Sequence, residues 1–128
     1  VEQSMFPLVE EKGVGFISFS PLAQGLLSDK YLKGIPEKSR AAQSFGFLQK
    51  DQITPEMVTK IRKLNDFAKK REQSLAQMAL AWCLNDKRVT SVIVGTSSVG
   101  QLKDNIKALN NLDFSDEELW LMGEIAAQ

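Results

Sequence analysis

Histidine is absent from this 128-residue sequence, and cysteine occurs once, at Cys83. A single thiol cannot form an intrachain disulfide, which fits the reducing environment of the cytoplasm. A zinc site built on histidine and cysteine is excluded, and no metal is expected. A Ser-His or Cys-His nucleophile is excluded for the same reason. An excess of either charge is also missing. The 16 lysines and arginines offset 16 aspartates and glutamates, so nothing global draws the chain toward nucleic acid or an anionic membrane. No apolar run approaches the roughly 18 residues that span a bilayer, and residues 1–12 mix charges among apolar positions, unlike a secretory leader. The first residue is Val1 rather than methionine, and the expectation is a portion of a longer gene product.

What is present is an alternation of helical and strand patterns. Residues 3–12 carry Met5, Phe6 or Leu8, and Val9 at helical spacing, with Pro7 tolerable only in a first turn and Gly13 placed as a left-handed stop. Val14 to Phe19 is short, apolar and rich in β-branched and aromatic residues, which predicts a buried strand. Residues 20–53 are punctuated by Gly25, Gly34, Pro36 and Gly46, with one or two helical turns between Leu26 and Leu32. An irregular stretch this long suits a functional lid or binding loop, or else a wrong assignment.

Thr54-Pro55-Glu56 is a helix start, with an N-cap, a proline at the first position and an acid near the positive dipole end. Val58, Ile61, Leu64 and Ala68 form its apolar stripe. Ser74 to Gln77 is a capping box opening a second helix, apolar nearly all round through Met78, Leu80 and Trp82 and so expected to be buried on more than one side. Val89 to Val94 reads as another buried strand. Capping boxes at Ser98–Gln101 and Ser115–Glu118 open two further helices, the first with Leu102, Ile106 and Leu109 on its inner face, the second with Leu119, Met122 and Ile125. Strands alternating with helices imply parallel strands joined by helical crossovers. Two strands are too few for a sheet with both faces covered, so the pattern is that of a slice of a larger barrel or doubly wound sheet.

Two turns that follow strands stand out. Ser20 to Tyr31 contains Gly25, where backbone could approach a ligand closely, and Lys30, a point charge for phosphate, with Arg40 further on as a planar fork. Gly95-Thr96-Ser97-Ser98 combines small residues, hydroxyls and the start of a helix, a geometry that binds anions through free N–H groups and the helix dipole. Alone, each is more often an ordinary capped turn. As a pair after consecutive strands they match the place where (β/α)8 barrels hold phosphate. Several other residues read as structural. Cys83 is expected to be a small core hydrophobe, and Trp82 and Trp120 packing residues. The Lys60–Arg71 run is expected to be a solvated helix face, and Glu56, Glu117 and Glu118 complement helix dipoles.

Three stretches carry a resemblance to a known family. Gly13 to Leu27, as G-V-G-F-I-S-F-S-P-L-A-Q-G-L-L, resembles the aldo-keto reductase pattern G-x-G-x-x-x-x-S-P-L-x-x-G-x-L. Ser74 to Trp82 resembles that family's A-Q-x-A-L-x-W helix, and Val94 to Asn105 its G-x-S-x-x-x-Q-L-x-E-N cofactor loop. The match runs in order along essentially the whole chain. It is nearest to bacterial members of the glyceraldehyde 3-phosphate reductase type and to potassium-channel beta subunits.

The resemblance implies an α/β fold, the C-terminal part of a (β/α)8 barrel, with residues 1–128 as one segment of a single barrel domain and 20–53 as a cofactor-covering loop. It implies an NADP-dependent oxidoreductase of aldehydes or ketones, or alternatively a nucleotide-binding regulatory subunit. Ser20, Pro21, Leu22, Gln24 and Gly25 would border nicotinamide and pyrophosphate, with Lys30 and Arg40 along the pyrophosphate toward the adenosine. Gly95, Thr96, Ser97 and Gln101 would surround the adenosine ribose and its 2′-phosphate, and Asp104 and Asn105 the adenine edge. Ser98 stands where many relatives place arginine, and Asp104 is shorter than the usual glutamate. The family's Asp, Tyr, Lys and His catalytic set has no match here; Tyr31 and Lys30 do not correspond to its tyrosine and lysine. Implied partners are a small carbonyl substrate, the upstream half of the same barrel and, as a possibility, a second copy of the protein.

Overall fold

The computed structural model describes residues 2–127 apart from 33, 38, 40–47 and 49. Strands β1 (Phe16–Phe19) and β2 (Val89–Ile93) lie side by side and parallel, with Phe19 opposite Ile93 and Ser18 opposite Val92. Their register shifts between Phe16, opposite Val89, and Ile17, opposite Ser91, so that Thr90 is skipped. This is a β-bulge. The skipped side chain turns its hydroxyl to accept a hydrogen bond from the Phe16 N–H at 3.1 Å. A methyl at Gly15 would stand 3.1 Å from that same oxygen, so the close approach at the bulge depends on glycine.

Five helices accompany the strands among the described residues: α1 (Met5–Glu11), α2 (Pro55–Lys70), α3 (Leu75–Asn85), α4 (Val99–Ile106) and α5 (Asp116–Ala127). Their limits follow the local chemistry. Pro7 sits in the first turn of α1, where its missing N–H costs little, and Gly13 closes that end at φ 62°. Thr54 caps α2 by accepting from the Met57 N–H at 3.1 Å. Ser74 and Gln77 form the full reciprocal capping box on α3. Ser115 and Glu118 exchange two bonds of the same kind at α5, of 2.8 and 3.2 Å.

The principal core is helical. Ile61 and Ala68 of α2 meet Leu75 and Met78 of α3, each almost fully buried, with Leu64, Phe67, Phe114 and Met122 packed around them. A smaller cluster centres on Tyr31 and Leu48 and includes Leu26, Ile35 and Ile53. Leu26 touches both clusters, and the Arg62 guanidinium donates to the Leu32 carbonyl at 3.2 Å. The described part of the 20–53 stretch is therefore fastened to α2.

One buried cation fastens the C-terminal helix. The Arg71 side chain, 5% exposed, pairs with Glu118 at 2.7 Å. It also donates to Gln73, to the Asn111 side chain and to the Asp113 carbonyl, and it lies 3.7 Å over the Phe114 ring.

Several expectations need correction. The strands are not buried on both faces: Phe16 and Ser18 turn toward the helices, while Ile17, Phe19 and Ile93 stay exposed, Phe19 at 80%. No described element packs over that face, so the apolar run has no second layer. Leu102 and Ile106 of α4 and Leu109 in the turn after it remain open, and Ala108 just beyond the helix is the buried residue. Trp82 and Trp120 are exposed rather than packed. Cys83 is half-buried, and that burial pushes its thiol pKa up.

Candidate functional site

Because β1 and β2 are parallel and in contact, the segments that follow them leave from the same end of the sheet. The first departs from ordinary backbone geometry at once. Ser20 has φ 55°, Ala23 45°, Gln24 60° and Gly25 95°. Positive φ is uncommon for any residue with a Cβ, and three such residues within five positions mark a strained segment of the kind that clusters at ligand clamps. Ser20 is the more unusual because it precedes Pro21, which ordinarily drives its predecessor to extended backbone.

The segment is held in this form by its own amides. Ala23 N–H donates to the Ser20 carbonyl at 2.9 Å, and Gly25 and Leu27 both donate to the Leu22 carbonyl. The Ser28 hydroxyl then donates to the Gly25 carbonyl at 2.6 Å and accepts from the Lys30 N–H at 3.3 Å. The space where a side chain at Gly25 would stand is open, and Lys30 is exposed on the next turn. Immediately after it, Tyr31 is 1% exposed, and its hydroxyl has no hydrogen-bond partner among the described residues. Arg40 lies outside the described residues.

The second segment, residues 94–98, is exposed apart from the half-buried Val94 and leads into α4. Ser98 caps the helix, its hydroxyl accepting from the Gln101 N–H at 3.2 Å. The expected capping box is only half formed. Gln101 Oε1 accepts instead from Ser97, from the N–H at 2.9 Å and the hydroxyl at 3.0 Å. Asp104 and Asn105 are half-buried, but they face different surroundings. Asp104 is bonded to Ser74 and Gln77 of the α3 cap. Asn105 lines an apolar groove of about 140 Å³ with Leu80, Val92 and Leu102. None of residues 20–30 lines that groove.

A sequence model of the Aldo/keto reductase family matches residues 1–127. The chain belongs to the aldo/keto reductase family. It is 50% identical over 123 residues to the L-glyceraldehyde 3-phosphate reductase of Escherichia coli O157:H7, and 47% identical over the same length to that of strain K12. Each alignment takes in 92% of this chain but 35% of the relative, so the chain spans about a third of the reductases it resembles. A probable voltage-gated potassium channel subunit beta of Oryza sativa subsp. japonica is 38% identical over 112 residues, covering 86% of this chain and 34% of that protein. The family implies a (β/α)8 barrel, and an open pair of parallel strands with helices along one face is consistent with part of one.

For an aldo/keto reductase, the question is whether these residues suit a phosphate-rich dinucleotide. The first segment offers backbone that can be approached at Gly25 and an exposed cation at Lys30. The second offers exposed Thr96 and Ser97 at the head of a capped helix, where orphan N–H groups and the helix dipole favour anions. Both fit. Sequence reasoning missed three features: the run of positive φ, the Tyr31 hydroxyl without a partner among the described residues, and the engagement of Gln101 by Ser97 and of Asp104 by α3. The capping-box pattern hinted at an inward Gln77. No local pattern announces left-handed serine, alanine or glutamine, because that geometry is imposed by the turn as a whole.

Proposed function

We propose that this chain supplies the nucleotide-gripping portion of an NADP-dependent oxidoreductase that reduces aldehydes or ketones to alcohols. The supporting observation is the parallel contact of β1 and β2, which sends the Ser20–Lys30 and Gly95–Ser97 segments out from one end of the sheet. A reduced nicotinamide supplies the hydride when bound. The chain's own residues bind and orient. Ser20, Pro21, Leu22, Gln24 and Gly25 border the nicotinamide and pyrophosphate, and Lys30 and Arg40 neutralise phosphate charge. Gly95, Thr96, Ser97 and Gln101 surround the ribose and its 2′-phosphate, and Asp104 and Asn105 meet the adenine. The 20–53 stretch covers the nucleotide.

In this reading the segment is the C-terminal part of a barrel. The upstream half completes the sheet and brings the proton-transfer groups, and the substrate is a small carbonyl compound in the cytoplasm. The chain alone gives no turnover. The test is fluorescence titration of the intact protein with NADPH and NADH. NADPH is expected to bind more tightly, and Lys30→Ala to weaken binding. Absence of binding by either nucleotide overturns the reading.

The likeness to potassium channel beta subunits supports a second reading, in which bound nucleotide serves a regulatory subunit. Steady carbonyl turnover by the intact protein separates the two.

A further inference from the structure

Helix α4 carries the second candidate segment at its head, yet none of its residues is buried. Leu102 and Ile106 are exposed, so apolar packing does little to set how α4 is turned about its axis. A polar joint to α3 does. Gln77 is 7% exposed, and both ends of its amide are engaged. Oε1 accepts from the Ser74 N–H at 3.1 Å. Nε2 donates to Asp104 twice, to the backbone carbonyl at 3.1 Å and to Oδ1 at 2.8 Å. The Ser74 hydroxyl closes the ring by donating to Asp104 Oδ2 at 3.3 Å.

Two consequences follow from this geometry. Gln77 grips the backbone of α4 as well as a side chain, so its position is transmitted to the helix. The joint also lies one residue before Asn105 and one turn after Gln101. It therefore sets which way both point.

We propose that Gln77 is a positioning residue for nucleotide binding, holding α4 at the angle that presents residues 95–105 to the adenosine end of the cofactor. The proposal rests on the nucleotide reading above. Gln77 touches no ligand in this account and acts through Asp104. Its amide has the one polarity the joint accepts, an acceptor toward Ser74 and donors toward Asp104. Removing the donors while keeping the acceptor toward Ser74 isolates the effect.

The experiment is a double-mutant cycle in the intact protein with Gln77→Glu and Asp104→Asn. It reads the Kd for adenosine 2′,5′-bisphosphate, the Kd and KM for NADPH, and kcat at saturation. Gln77→Glu alone sets a second carboxylate face to face with that of Asp104. It is expected to weaken adenosine bisphosphate binding by about tenfold, mid-range for neighbours in one hydrogen-bond network. The kcat at saturation should stay within about twofold, because the loss falls on binding common to ground and transition states. The Asp104→Asn background supplies an amide donor to face the introduced carboxylate but does not replace the bond to the residue 104 carbonyl, so there Gln77→Glu should cost markedly less.

An equal penalty in both backgrounds, or none in either, overturns the proposal. If the wild-type protein binds no nucleotide, the parent reading fails instead. The joint is then judged by amide hydrogen exchange over residues 102–106. Faster exchange in Gln77→Glu that is recovered in the double variant supports the joint, and unchanged exchange overturns it.

Discussion

On the helix side of the molecule, Ile61, Ala68, Leu75 and Met78 are removed from water almost entirely, while on the far face of β1 and β2 the Phe19 ring keeps 80% of its surface exposed and Ile93 60%. Both regions carry apolar stripes in sequence. They differ in whether the chain carries its own cover. α2, α3 and α5 present stripes to one another, and Arg71 draws the α5 end in through Glu118 and Phe114. The strands present one set of alternate residues to the helices, and no described segment covers the other set. Apolar area stabilises only when it leaves water, so the helix layer contributes stability within this chain and the open sheet face contributes none until another surface covers it.

The largest expected departure from that balance is Arg71→Ala. It removes the 2.7 Å ion pair and the donors to the Asn111 side chain and the Asp113 carbonyl, leaving Glu118 with its Ser115 bonds alone. Breaking one side of such a buried charge pair costs about 3–5 kcal/mol, to be read by denaturant unfolding of the intact protein. A loss near that of a surface arginine would show that the clip is not what holds α5. Next is Met78→Ala in the helical core, with a cost of about 2–5 kcal/mol depending on how far the cavity collapses.

Acid titration probes the polar contacts of both regions. Arg88 beside Asp86 holds that carboxyl down to about 2. The Ser115 N–H first, then Arg71, hold Glu118 below the usual carboxylate range. Both folded values are depressed. Their stabilisation is therefore fully present above the ordinary carboxylate pKa and is lost as pH falls through the folded value, for Asp86 between about pH 4 and pH 2. Unfolding free energies measured across that window should fall less in Asp86→Asn than in the wild type; equal slopes would remove Asp86 from the account.

Gly25→Ala places a Cβ at φ 95° and should cost about 1–2 kcal/mol through left-handed backbone alone, since the space around it is open. The smallest effect belongs to the sheet face: Phe19→Ser should shift the stability of the isolated chain by no more than about 0.5 kcal/mol. A large loss there would mean that the face is covered after all.

Much of this architecture was legible in advance. Thr54-Pro55, the Ser74–Gln77 box and Gly13 each announce a helix limit because a cap is satisfied within a few residues of itself. Alternation of strand and helix implied parallel strands. Burial was less legible. Val14 to Phe19 and Leu102 to Leu109 look like core, but an apolar residue is buried only if a distant segment meets it. The candidate site shows the same limit. Gly25, Lys30 and the Ser97 segment stood out by composition, and Arg40 lies outside the described residues. That Gln101 turns to Ser97, and that Asp104 turns to α3, depended on which neighbour lay within hydrogen-bonding reach.

The amino-acid order alone determined where helices begin and end, that strands alternate with them, and that no histidine chemistry is available, because these depend on contacts within a few residues or on composition. Only the tertiary structure decided that β1 lies beside β2, that Ser20, Ala23 and Gln24 take left-handed backbone, and that Gln77 of α3 grips Asp104 of α4. Residues 77 and 104 are brought together by the packing of α3 and α4, and no local propensity encodes a meeting at that distance.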